Sequence, residues 1–110
     1  MLQKEKCVAC SSNTRPLSQI EIEPLLEQLD GWEVQTVDGE KRIVKTFHFD
    51  DFRGALDFTK QVGEEAETEN HHPLIVTEYG KATVHWWTHK IGGLHRNDFI
   101  MAAKTDELYK

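Results

Sequence analysis

Cysteine is nearly absent: Cys7 and Cys10 are the only two in 110 residues. Lying three apart near the start, they offer a poor basis for the disulfide framework of a small secreted domain, and a reducing cytoplasm fits better. They form half a zinc knuckle whose other half is missing from the chain. A thioredoxin-like redox pair is excluded too, because no strand precedes them and no helix start follows. Long apolar runs are also lacking. None follows Lys4, Glu5 and Lys6 as a secretory signal would require, and none reaches membrane-spanning length. Positive charge is in deficit, 13 Lys and Arg against 19 Asp and Glu for a net −6, which disfavours direct binding to nucleic acid or an anionic membrane. Glycine-rich phosphate loops, a serine nucleophile elbow and a believable Cys-His arrangement are missing, so phosphoryl transfer and nucleophilic catalysis have no support.

What remains is a globular mixture of 38% hydrophobic and 29% charged residues, enough for one core and one domain. Residues 1–16 are polar and without apolar periodicity, which predicts a loosely ordered arm carrying two mobile thiols. The domain proper is expected over residues 17–110. Ser18 and Glu21 form a capping box, after which Ile22, Leu25, Leu26 and Leu29 recur at helical spacing until Gly31, predicting a helix over 18–29. Alternating strands at 32–37 and 41–49 flank Asp38-Gly39, a hairpin signal. Asp50 or Asp51 caps a second helix to about Glu69, with an apolar stripe of Phe52, Ala55, Leu56, Thr59, Val62, Gly63 and Ala66. A second hairpin follows, 74–78 and 82–89 around Tyr79-Gly80-Lys81, then a last helix over 95–108. The order α-β-β-α-β-β-α predicts an α+β two-layer sandwich, a four-stranded antiparallel sheet with the helices on one face.

Six histidines are many for this length, and His71, His72, His85 and His89 fall within one short stretch. His71-His72 sits where the second helix ends and Pro73 forbids continuation. Alternation puts His85, Trp87 and His89 on one strand face, and hairpin pairing returns His89 beside Pro73. Two or three imidazoles gathered at one end of the sheet suit proton transfer near neutral pH. Glu67, one helical turn before His71, and Asp98, at the start of the last helix, are candidates to orient an imidazole. Structural uses compete: a His-His pair can cap helix carbonyls, His85 fits a plain strand-face role, and Trp86 and Trp87 suit a core or interface. A metal centre is disfavoured, since no HExxH occurs and adjacent His71 and His72 cannot easily bind one ion together.

The full spacing is more specific than any of these parts: Glu67-x-x-x-His71-His72-Pro73, Tyr79, His89 and Asp98, with Gly31-Trp32, Phe47-His48-Phe49-Asp50-Asp51-Phe52, Gly93-Leu94 and Arg96-Asn97-Asp98-Phe99 around it. Over about residues 17–109 this pattern resembles the pterin-4a-carbinolamine dehydratases. The resemblance implies the same α-β-β-α-β-β-α fold and a lyase that dehydrates 4a-hydroxytetrahydropterins to quinonoid dihydropterins, in tetrahydrobiopterin recycling. It implies acid and base work at His71 and His89, substrate contact at His72, support from Glu67 and Asp98, and pterin contacts along His71, His72, Pro73 and Thr88, His89, Lys90, Ile91. No metal and no organic cofactor is implied. Partners on this reading are the pterin substrate and further copies of the chain, as a homodimer or homotetramer. His95 departs from the pattern, standing where a small capping residue is expected. Two other readings use the same fold: a non-catalytic dimerisation or coactivator-type interaction protein, since animal members also serve as dimerisation cofactors of a homeodomain transcription factor, and an accessory role in molybdopterin metabolism.

Overall fold

The computed structural model describes residues 2–8 and 14–109. Seven regular elements follow the expected order: α1 (Gln19–Glu27), β1 (Glu33–Val37), β2 (Glu40–His48), α2 (Phe52–Glu69), β3 (Leu74–Glu78), β4 (Lys81–Trp86) and α3 (Arg96–Leu108), with 3₁₀ turns at Leu2–Lys4 and His89–Ile91. The strands form one antiparallel sheet in the order β1-β2-β4-β3. The first hairpin closes as its turn chemistry demands. Asp38 and Gly39 both take positive φ, 52° and 80°, the geometry that matches the strands' right-handed twist.

Alternation along the strands sends Ile43, Phe47, Ala82, Val84 and Trp86 into the core with Phe58, Val62, Ala66, Phe99 and Met101 of the helices. Burying each large aromatic among them stabilises the fold by about 1.5–3 kcal/mol. On α2 the buried row is Ala55, Phe58, Val62 and Ala66. Phe52 and Leu56, expected in that row, lie outside it at 44% and 39% exposure. Asp51 caps α2, its carboxylate accepting from the Gly54 amide at 2.8 Å, and Phe58 rather than Leu56 is buried in the core.

Three further details differ from the sequence expectation. β4 ends at Trp86, and His89 stands on a 3₁₀ turn instead of closing the strand. The cause is local: Thr88 bridges to Gly93 and Gly92 turns left-handed at φ 66°, folding 88–93 into a tight loop. The last helix starts at Arg96, with His95 as its N-cap. The described part of the N-terminal arm is also less loose than its polarity suggests. Its single large aliphatic residue, Leu2, is buried at 3% exposure and joins the core cluster. Cys10 lies outside the described residues.

Candidate functional site

Two chain reversals meet at one end of the sheet. The first is the exit from α2. Asn70 takes a left-handed φ of 54° and the His71 amide donates back to the Ala66 carbonyl at 3.1 Å, so the helix stops and His71 and His72 are presented from its end. Leu74 pairs with His85 across the β3–β4 ladder, which brings the residues just before β3 beside those just after β4. The second reversal is the 88–93 loop. Between them lies a cavity of about 330 Å3 lined by Asn70, His71, His72, Trp87, Thr88, His89 and Lys90, with Cys7, Val8 and Asn97 completing it. That volume is at the small end of the ~300–1,000 Å3 typical of ligand pockets.

His71 is the most constrained side chain of the group. Its Nε2 lies 2.6 Å from Asp98 Oδ1, and its ring stacks on Trp86 at 5.7 Å between centroids and 10° between planes. Asp98 is fully buried. Its other oxygen, Oδ2, accepts from the Thr88 hydroxyl at 2.9 Å and the His95 amide at 2.9 Å. An ionised carboxylate accepts only, so the ring proton is assigned to Nε2 and the lone pair to Nδ1 of His71. Trp86 is itself tied down, donating from Nε1 to Thr105 Oγ1 at 3.1 Å.

His72 and His89 are held more lightly. His72 Nε2 pairs with Glu67 Oε2 at 2.5 Å, but both side chains are largely exposed. His89 touches Trp87 edge-on at 4.8 Å between ring centroids; its Nδ1 is 3.9 Å from Glu40 Oε1, and the side chain is 80% exposed. The Arg42 guanidinium lies over the Trp87 ring, 3.8 Å from its centroid.

Of the residues singled out in the sequence, His71, His72, Thr88, His89 and Lys90 line the cavity, whereas Pro73 and Ile91 do not. Asp98 and Glu67 stand behind two different histidines, Asp98 behind His71 and Glu67 behind His72. Tyr79, although part of the spacing pattern, sits 74% exposed at the β3–β4 turn, at the far end of the sheet. His85 is absent from the lining. It faces Arg42 at 3.4 Å from Nη1 to Nδ1, and burial, then the Arg42 charge, push its pKa down. Among the described residues, no group of three or more His, Cys, Asp or Glu side chains is arranged to hold a metal ion. Sequence reasoning missed Asn70, Asn97, Val8, Cys7 and Trp87 as lining residues. The alternation that puts Trp87 on the His89 face signals one of them, and Asn97 stands in the Arg96-Asn97-Asp98-Phe99 run of the family pattern.

Residues 15–108 match the family described as Pterin 4 alpha carbinolamine dehydratase. The chain belongs to that family. Its members are lyases, and the dehydratase family assignment extends to full-length relatives. A protein of Chlorobium luteolum, provisionally named pterin-4-alpha-carbinolamine dehydratase, is 52% identical over 109 residues, covering 99% of this chain and 96% of that one. One from Marinobacter nauticus, with the same provisional name, is 50% identical over 108 residues, covering 98% and 97%. Among solved structures, a "transcriptional coactivator/pterin dehydratase" from Brucella melitensis superposes with a TM-score of 0.77 at 34% identity, covering 87% of this chain and all of that one. No described helix is long and apolar enough to cross a membrane.

Proposed function

We propose that the chain dehydrates 4a-hydroxytetrahydropterins to quinonoid dihydropterins, with His71 and His89 sharing the proton transfers. The observation that carries this reading is that three imidazoles, His71, His72 and His89, line one small cavity and one of them, His71, is braced by a buried carboxylate. In the reaction the bond from ring carbon 4a to its hydroxyl breaks, the hydroxyl takes a proton and leaves as water, the N5 proton departs, and a double bond forms between N5 and carbon 4a. One proton is given and one taken, so the enzyme ends the cycle in its starting state of charge. Two separately placed imidazoles fit that demand. Asp98 on Nε2 leaves Nδ1 as the nitrogen of His71 available for exchange and stabilises the imidazolium that forms when it takes a proton. His72, on the rim with Glu67, serves as a substrate contact, and the backbone along His71 to Pro73 and Thr88 to Ile91 meets the polar edge of the pterin. Recycling of tetrahydrobiopterin is the setting this chemistry serves.

The test is water loss from a freshly generated 4a-hydroxytetrahydropterin, followed by absorbance with the purified protein. The parent protein accelerates it, and His71→Ala and His89→Ala each lower kcat/KM by about 100-fold or more. Parental rates in both variants would sink the mechanism. Self-association as a dimer or tetramer is supported by a second observation: Phe52 and Leu56 on α2, and Leu74 and Val76 on the open sheet face, are all about 40% exposed, the kind of apolar surface that partners cover. Light scattering gives the mass. A coactivator-type role is supported only by the likeness to the Brucella protein, whose name joins the two activities, and an intact histidine set that loses no activity on binding a partner protein would speak for it.

A further inference from the structure

Residues 2–8 precede the segment that matches the family, residues 15–108, yet Cys7 and Val8 line the same cavity as His71 and His89. The arm is bound there at every turn. Leu2 is inserted in the core at 3% exposure, Lys104 Nζ donates to the Gln3 carbonyl at 3.0 Å, and Arg96 forks onto the Glu5 carboxylate at 2.9 and 2.7 Å. That guanidinium holds the Glu5 carboxyl below its ordinary range. The Cys7 amide donates to Glu69 Oε1 at 2.9 Å. The buried Asn97 amide then pairs with both backbone groups of Val8, accepting from its N–H at 3.0 Å and donating to its carbonyl at 2.7 Å. The anchors of Glu5, Cys7 and Val8 lie on the end of α2, just before His71, and on the start of α3, which carries Asp98. The arm's backbone is therefore registered against the reacting groups, while the Val8 side chain stays 62% exposed at the cavity wall. An apolar side chain held out by a fixed backbone gains burial when a ligand arrives.

We propose that this arm is a specificity wall of the pterin pocket, with Val8 and Cys7 in contact with the substituent on the ring carbon next to N5. The inference rests on the dehydratase reading. Two arguments assign that part of the substrate to the arm. The substituted carbon, carbon 6, is bonded to N5, so its group begins two bonds from the atom that surrenders a proton to an imidazole. The opposite, pyrimidine edge of the pterin needs strong hydrogen-bond partners, which the Val8 side chain lacks and the Cys7 thiol, a weak donor already directed at the Asn97 carbonyl at 3.8 Å, does not match, and which the backbone and side chains of the 88–90 turn can supply. The ring's polar edge thus faces the 88–90 turn, and its carbon-borne substituent faces the arm.

The experiment measures dissociation constants, by equilibrium dialysis, for two dihydropterins that lack the 4a-hydroxyl and cannot react. One carries a methyl and the other a dihydroxypropyl group on the carbon next to N5. The parent is compared with a protein lacking residues 1–8 and with Val8→Gly, which keeps every anchor of the arm. In parallel, kcat and KM for the matching 4a-hydroxy substrates are recorded. The ratio of the two dissociation constants changes by about ten-fold in both variants, the scale of a lost apolar pocket contact, and the kinetic change falls on KM more than on kcat. An unchanged ratio in Val8→Gly, with pterin still bound, overturns the wall. Failure of the parent protein to bind either pterin overturns the dehydratase reading, and the wall with it.

Discussion

The two histidines proposed to share the chemistry are built in opposite ways. His71 is stacked on a buried tryptophan, bonded to a fully buried aspartate and only 12% exposed at its side chain. His89 sits on a 3₁₀ turn with one edge contact to Trp87 and 80% of its side chain in solvent. The difference separates two jobs. A group fixed before the substrate arrives contributes orientation at no further entropic cost. A group on an exposed turn must be ordered as the substrate binds, but it leaves the cavity open for entry and release. The same contrast runs through the carboxylates, Asp98 buried with three donors and Glu67 on the surface with one.

The sharpest way to break this comparison is at Asp98. Asp98→Ala leaves the His71 ring N–H, the Thr88 hydroxyl and the His95 amide without their acceptor. Stability falls by about 3 kcal/mol and kcat/KM by about 100-fold, read from denaturant unfolding and the dehydration assay. A variant as stable as the parent would mean that His71 is not held as described. At His89 the two readouts part company. His89→Ala loses comparable activity while its unfolding free energy stays within about 0.5 kcal/mol of the parent, and a large loss of stability there would erase the distinction.

A smaller effect concerns His95, whose Nδ1 accepts from the Asn97 amide at 2.9 Å. Burial first, and the neighbouring His71 as well, push its pKa down against the opposing pull of Asp98. As pH falls through the ordinary histidine value of ~6.5, the unfolded chain takes up this proton before the folded one does. Stability is therefore complete above that value and declines on acidification, down to the lower folded value. His95→Ser keeps a capping oxygen and removes the titration, so the variant loses less stability between pH 8 and pH 5 than the parent. The shift at His85, also downward from burial and Arg42, remains in both proteins and sets the residual slope. An identical pH profile would show that His95 does not titrate against the fold. Smallest of all is Glu67→Gln: with both partners largely exposed, the pair contributes at most about 1 kcal/mol, and the expected outcome is a slightly raised KM with unfolding unchanged.

Much of this architecture is legible without coordinates. The capping box at Ser18 and Glu21, the Asp38-Gly39 turn and the break at His71-His72-Pro73 act over a few residues, and their local chemistry has few alternatives. Glu67 and Asp98 could be nominated as partners for imidazoles, but not matched to them. The match of Asp98 with His71 depends on where α3 lands beneath β4. His95 is out of place as a capping residue until its ring nitrogen meets the Asn97 amide. The arm is harder still. Its polar composition argues for disorder, and its order comes from long-range partners, Arg96, Asn97 and Lys104, that no pattern within the arm announces.

The sequence by itself determined the order of elements, the Asp38-Gly39 turn and the chain break at His71-His72-Pro73, because helix caps, turns and strand alternation are short-range effects read within a few residues. Only the tertiary structure decided which carboxylate braces which imidazole, that His71 is buried while His89 is open, and that Cys7 and Val8 belong to the pocket. Those outcomes depend on contacts between residues from 5 to more than 90 positions apart, and such contacts are set by how the packed layers meet.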